Sequence, residues 1–321
     1  GGAGFIGSHL VDALLQQGHE VTVLDNFSTG RRENLFHVSQ DINLIECDLG
    51  VEGKWSSEFQ GVDWVFHLAA LADIVPSIQQ PQAYFRANVD GTFNVVQAAR
   101  MGGATRFVYV ASSSSYGLPD IFPTPESADI DPQYPYALTK YLGETLIMHW
   151  GKVYELPVLS LRFFNVYGPR SRTSGTYGAV FGVFLAQKLA NVPYTVVGDG
   201  SQTRDFTYVT DVVQALIAAA QSPRSGAVYN VGSGATISVN RLVELLGGEK
   251  VFIPKRPGEP DCTFADISKI QTELGWHPEV TIERGVSRLL EHIEYWRDAP
   301  VWTPDSIATA TRDWFRYLGS S

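Results

Sequence analysis

Apolar runs alternate with stretches of helical period along the first half of the chain. Residues 19–25, 43–48 and 106–111 read as strands. The run 62–70, Val-Asp-Trp-Val-Phe-His-Leu-Ala-Ala, is almost unbroken in its apolar character, as a parallel strand buried on both faces requires. Residues 157–167 form a second such run. The helical period appears between these runs. Over 8–17 it places Leu10, Leu14 and Leu15 on one side, and Gly18 stops it. Over 88–100 it aligns Val89, Phe93, Val96 and Ala99, and a third helix is predicted over 136–150. The segment 123–135 holds four prolines and reads as a loop. This βαβ alternation predicts an α/β fold with a doubly wound parallel sheet.

After about residue 170 the rhythm changes. Helices are predicted over 178–191 and 209–221, strands over 193–197 and 227–231, and a glycine-rich turn over 198–205. The division that follows is a first domain over 1–170, completed by about 206–235. A smaller α/β lobe takes 171–205 and 236–300, and 301–321 is an extension. Its aromatics Trp302, Trp314, Phe315 and Tyr317 predict packing against either the body or a partner.

Composition narrows the class. The 321 residues are 44% hydrophobic and 18% charged, which suits a globular enzyme. The net charge of −10 argues against nucleic-acid or membrane-surface partners. The two cysteines, Cys47 and Cys262, give no disulfide framework and suit a reducing, cytoplasmic setting. No apolar run is long enough to span a membrane. No metal site is expected.

Two local patterns carry chemistry. Gly1, Gly4 and Gly7 form GxxGxxG at a helix start, where glycine lets the backbone approach a pyrophosphate and the helix offers its positive end. A tight turn alone would also explain them. Asp25 ends the next predicted strand, where a carboxylate binds ribose hydroxyls and repels a 2′-phosphate, so NAD is expected over NADP. Arg31 and Arg32 would favour the phosphate, and they read as surface charges past Gly30. A strand should precede Gly1, so the sequence is read as cut at its start. Farther on, Tyr136 and Lys140 stand four apart on the predicted helix, one turn from each other on one face. An ammonium beside a phenol favours the phenolate, giving a base near neutral pH. A surface helix would give the same spacing, but here the hydroxyl-rich Ser112–Ser115 lies 24 residues before Tyr136, after a strand.

Together GGAGFIG at 1–7, HLAA at 67–70, SSSSYG at 112–117 and YALTK at 136–140 resemble the extended short-chain dehydrogenase/reductases. The closest resemblance is to the NAD-dependent nucleotide-sugar epimerases and dehydratases. RFFNVYGPR at 162–170, GDGSQTRDFTYV at 198–209, YNVGSG at 229–234, RPGEPD at 256–261 and LGWHP at 274–278 extend it through most of the chain. The resemblance implies a Rossmann-type sheet and tightly held NAD. It implies cofactor contacts from Gly1, Gly4, Phe5, Ile6, Gly7, Asp25, Asn26, Asp48, Leu49, Leu68, Ala69 and Ala70, and from Tyr136 and Lys140. Asn88 is either an N-cap or a further residue beside the cofactor, and Asp48 is either an adenine neighbour or a turn residue.

The implied reaction is C4 epimerisation of a UDP-sugar through a 4-ketose. Tyr136 would act as base, Ser112 would steer the proton with Ser113 sharing the work, and Lys140 would lower the Tyr136 pKa. Ser114 and Asn165 would contact substrate, with Arg204 and Arg256 clamping the diphosphate unless they are surface salt bridges. Thr263 would line the sugar pocket and leave room for UDP-N-acetylhexosamines or UDP-hexuronic acids, unless it is only a strand residue. A 4,6-dehydratase, a decarboxylase or a C4 dehydrogenase shares the first oxidation. The first carries Asp and Glu where Ser113 and Ser114 stand, and decarboxylases carry Glu at the place of Ser114. A non-catalytic NAD-binding sensor on the same fold is the remote alternative. Surplus apolar residues on the helices over 88–100 and 136–150 predict a homodimer through a four-helix bundle.

Overall fold

The computed structural model describes residues 1–171 and 179–319. Helix α1 (Phe5–Gln16) follows the glycine loop and ends where Gly18 takes a left-handed φ of +81°. Strands β1 (Val21–Asp25) and β2 (Ile42–Glu46) pair in parallel, Val21 opposite Ile42. Then come β3 (Trp64–His67), α2 (Ile74–Gln79) and α3 (Pro81–Phe85). A wide π-type turn at Arg86–Asp90 feeds α4 (Gly91–Gly102). The chain continues through β4 (Arg106–Ser112), α5 (Pro135–Tyr154), β5 (Val158–Phe163), β6 (Asn165–Tyr167) and α6 (Val180–Leu189). Next are β7 (Tyr194–Val197), β8 (Thr203–Arg204), β9 (Phe206–Tyr208), α7 (Val209–Gln221), β10 (Ala227–Val231) and β11 (Ile237–Ser238). The last elements are α8 (Val239–Leu246), β12 (Lys250–Ile253), α9 (Ser268–Leu274), α10 (Ile282–Glu291), α11 (Pro304–Ala310) and α12 (Arg312–Leu318).

The central sheet runs β3-β4-β5-β10, with every pair parallel. Alternate residues of β4 serve opposite faces. Phe107 and Tyr109 pack with Val96, Ala99 and Ile147 of α4 and α5, whereas Val108 packs with Leu10, Val212 and Leu216 of α1 and α7. Helices on both faces make the sheet doubly wound, as the alternation predicts. The β1–β2 pair is a separate sheet among the described residues. Gly1 and Gly2 sit between it and the end of β3. A Cβ on Gly2 would lie 2.7 Å from Val23, and one on Gly1 2.5 Å from the Ala69 nitrogen. The lobe has its own core, in which Phe184, Tyr194, Val196, Leu242, Leu289 and Trp296 are buried. No helix among the described residues is long and apolar enough to cross a membrane.

The structure differs from the sequence reading in places. The run 62–70 pairs only over Trp64–His67, because the ladder to β4 stops at His67 opposite Tyr109. Residues 68–70 therefore become cleft wall. The run 157–167 is two strands. The Phe164 N–H still donates to Val231, but the Asn165 N–H donates to Asp205 at 3.1 Å, and β6 pairs with β9 in the lobe. Gly178, the expected start of the 178–191 helix, lies outside the described residues, as do Ser320 and Ser321. In the C-terminal segment Trp314 packs against the body, while Phe315 and Tyr317 are exposed.

Candidate active site

A cleft of about 670 Å³ opens beyond the carboxyl ends of β3, β4 and β5 and runs under the lobe. Its first wall is the glycine loop. A Cβ at Gly7 would come 2.2 Å from the Gly1 carbonyl oxygen, so only glycine lets α1 start this close to the turn. Gly4, Phe5 and Ile6 face the cleft, as do Leu68 and Ala70, while Ala69 backs onto Gly1. Asp25 is buried and accepts the Ala3 N–H at 2.9 Å and the Phe27 N–H at 2.8 Å, which ties the loop to the end of β1. Asn26 is exposed and accepts from Ser28. Asp48 stands at a turn, bonded to the Gly50 N–H and paired with Arg86 at 2.8 Å, and the Leu49 carbonyl accepts from Asn94. Arg32 pairs with Glu46 on the surface as expected. Arg31 is partly exposed and pairs with Glu33 at 3.7 Å, and it also borders the cleft.

The reacting wall stands on β4 and α5. Ser112 ends β4, and its Oγ lies 2.7 Å from Ser114 Oγ and accepts the Ser114 N–H at 3.2 Å. Ser113 lines the cleft beside them. Tyr136, half-buried in the first turn of α5, lines the cleft beside Ser112 and Ser114. Burial raises its pKa, those two hydroxyls pull it down, and the charge of Asp73 across the cleft pushes it up. Tyr134 stacks beside it at 6.3 Å.

Lys140 is buried and borders the same cleft as Tyr136. Its ammonium lies 4.4 Å over the Tyr109 ring. The Tyr109 hydroxyl in turn donates to the Lys140 carbonyl. Burial lowers the Lys140 pKa to about 7, against the raising effect of Glu144 one turn on. Glu144 is itself locked to Arg162 and to Ser160.

Asn88 lies behind the wall and is not an N-cap. Its Oδ1 accepts the Leu71 N–H at 2.8 Å, and its Nδ2 donates to Leu71 O and Thr139 Oγ1 at 3.0 Å each. It fixes the loop after β3 to α5. At the other end of the cleft, Arg204 donates to Glu259 at 2.9 Å and Arg256 reaches the same carboxylate at 3.7 Å. Thr263 and Asn165 both line the cleft, and Thr263 Oγ1 donates to Asn165 at 2.7 Å while accepting the Asp205 N–H at 3.2 Å. Thr263 thus leaves space, but its donor is already used. Asp73, Tyr134, Glu144 and Glu259 carry no site role in the sequence reading, and Trp314 only a packing one. Of these only Glu144, four after Lys140 on the same helix face, carried a local signal.

A family model described as the NAD dependent epimerase/dehydratase family matches residues 1–232. A UDP-glucose 4-epimerase of Mycolicibacterium smegmatis is 35% identical over 306 residues, covering 91% of this chain and 96% of the relative. UDP-glucuronic acid decarboxylase 1 of Arabidopsis thaliana is 36% identical over 303 residues, 90% of this chain and 68% of the relative. Among solved structures, the UDP-glucose 4-epimerase of Thermotoga maritima with UDP-glucose superposes with a TM-score of 0.87. It is 32% identical, over 92% of this chain and 97% of that one.

Proposed function

The chain belongs to the NAD dependent epimerase/dehydratase family, and we propose that within it the protein is a C4 epimerase of a UDP-sugar, working through a transient 4-ketose. It is a nucleotide-sugar enzyme, and its cofactor is NAD. The glycine cradle fits that cofactor, since added side chains at Gly1 and Gly7 would strike backbone and a Cβ at Gly4 would meet only the Gly1 carbonyl oxygen at 3.3 Å. NAD, when bound, supplies a hydride acceptor that can return what it takes.

The chain's own residues handle the proton. Tyr136 as phenolate takes the proton from O4 while the C4–H bond breaks and C4=O forms. Ser112 and Ser114 stand beside the Tyr136 oxygen, and their hydroxyls favour its phenolate form. Lys140, kept above Tyr109, holds the nicotinamide ribose side of the site. After the ketose turns over, Tyr136 returns the proton to O4 as hydride reaches the other face of C4. Nothing is oxidised or reduced overall. Arg204 and Arg256 take the diphosphate by exchanging Glu259 for phosphate oxygens. Asp25 favours NAD over NADP by charge. The exposed Phe93, Met101 and Leu138 on α4 and α5 support a homodimer, which light scattering at micromolar concentration tests against a monomer.

The observation that carries this reading is the neutral hydroxyl cluster at Ser112–Ser114 beside Tyr136. Dehydration or decarboxylation asks for acid–base groups here, and serine is a poor one at neutral pH. Glu259 lines the cleft but is engaged with Arg204. The test is a panel of UDP-glucose, UDP-N-acetylglucosamine and UDP-glucuronic acid, with products read by NMR and mass. A C4 epimer of unchanged mass is expected. Loss of water or carbon dioxide, or stoichiometric NADH, would overturn the assignment.

A further inference from the structure

The C-terminal segment reaches the arginine end of the cleft. Helix α11 starts at a capping box between Thr303 and Ser306, with Pro304 at its first position. Ile307 anchors it in the core, and α12 then lies along the loop that holds Arg256. Trp314 of α12 is buried, lines the cleft, and donates its indole N–H to Pro257 at 2.7 Å. Its ring lies 5.3 Å from the Arg256 guanidinium. On its other side α12 is tied to the first domain, because Asp313 accepts from Gln79 of α2 at 2.8 Å. Asp73, Ile74 and Val75 at the start of α2 line the same cleft. The segment is also held at its root, where the Trp302 carbonyl accepts from Gln187 of α6 at 2.8 Å.

Two contacts among those of Arg256 support its side chain. Glu259 contacts its guanidinium edge at 3.7 Å, and the Trp314 ring covers its face. A phosphate that displaces the carboxylate leaves the ring support in place. A planar cation held on an aromatic face keeps its fork in one orientation and loses less freedom when it binds. We propose that Trp314 is a positioning residue for Arg256, and that residues 303–318 act as a brace across the cleft that sets affinity for the nucleoside diphosphate part of the substrate. This rests on the assignment of Arg204 and Arg256 to the diphosphate. It requires no change in the reacting groups, since Tyr136 and Ser112 stand on other elements.

The test is titration calorimetry of the full-length, NAD-loaded protein with UDP, beside KM and kcat for the UDP-sugar that turns over. Trp314→Ala should weaken UDP binding about tenfold, the scale of a lost ring contact plus hydrogen bond. KM should rise by a similar factor, with kcat within about twofold. Trp314→Phe keeps the ring and loses the N–H, so it should recover most of the affinity. Asp313→Ala should lose about threefold by freeing the brace from α2. UMP, with one phosphate, should bind weakly to all forms and respond little to Trp314→Ala. Melting temperatures of the variants identify one that has merely unfolded, and Trp314→Phe and Asp313→Ala then carry the test. Unchanged UDP affinity in folded Trp314→Ala, an equal loss for UMP, or no UDP binding by the unaltered protein would each overturn the inference. UDP affinity that responds as expected while no epimer forms would leave this inference standing and remove the epimerase assignment.

Discussion

At one end of the cleft Ser112, Ser114, Tyr136 and Lys140 stand on the end of β4, the turn that follows it and α5; at the other Arg204, Glu259 and Arg256 stand on a two-residue strand and a loop. The first group is rooted in the doubly wound sheet, and its contacts are hydroxyls plus one ammonium over an aromatic ring. The second is two arginines that share one carboxylate, a set with net positive charge. The difference separates two tasks. Groups that move a proton need fixed distances, which a strand end and a helix turn supply. Groups that recognise an anion need charge in reserve, and in the proposed reading Glu259 offsets part of the charge of two arginines until an anion replaces it.

The sharpest way to break this division is Tyr136→Phe. It keeps the ring and removes the proton carrier, so kcat should fall roughly 100-fold or more while NAD binding stays near the unaltered value. Turnover within a few-fold would remove Tyr136 from its role. At the other end Arg204→Leu should raise KM by roughly 10- to 100-fold, the cost of lost charge-assisted hydrogen bonds, and leave kcat within a few-fold. A collapse of kcat instead would mean that the two ends are not separate.

A third test uses pH. The Lys140 pKa falls from 10.5 unfolded to about 7 folded, so between those values the unfolded chain binds more protons. Stability from this group therefore rises with pH across that window and is flat below about 7. Lys140→Met should flatten the rise, by at most about 1.4 kcal/mol per pH unit, in denaturant melts at pH 7 and 9. An unchanged slope would mean that Lys140 is not desolvated. The smallest effect concerns the sugar. Thr263→Tyr adds a ring where Thr263 bonds to Asn165, so turnover of a UDP-N-acetylhexosamine should fall several-fold more than that of UDP-glucose. Equal losses would take Thr263 out of the sugar pocket.

The two ends were also unequally legible in the sequence. Ser112, Tyr136 and Lys140 lie within one strand–loop–helix unit, so period and spacing paired Tyr136 with Lys140, and the family resemblance pointed to Ser112. The central sheet was legible for the same reason, through the mostly apolar runs of β4 and β5. What spacing could not give was where the Lys140 ammonium points. It lies over the Tyr109 ring, a contact that spans 31 residues. Asn88 was ambiguous because its partners Leu71 and Thr139 come from two other segments. At the arginine end the residues were visible as motifs, but Glu259 as their shared partner and Trp314 as a support arise only when chain far apart in sequence meets in the lobe. The β6 strand left the sheet for a similar reason, since Asp205 and β9 compete for it from 40 residues away.

The central claim is that hydride leaves C4 and returns to C4. A UDP-sugar carrying deuterium at C4, incubated with the NAD-loaded protein in ordinary water, tests it most directly. The epimer should retain its deuterium at C4, with unchanged mass and no accumulation of reduced cofactor. Deuterium found at C6, deuterium lost to the cofactor pool, or a product lighter by water or carbon dioxide would contradict it.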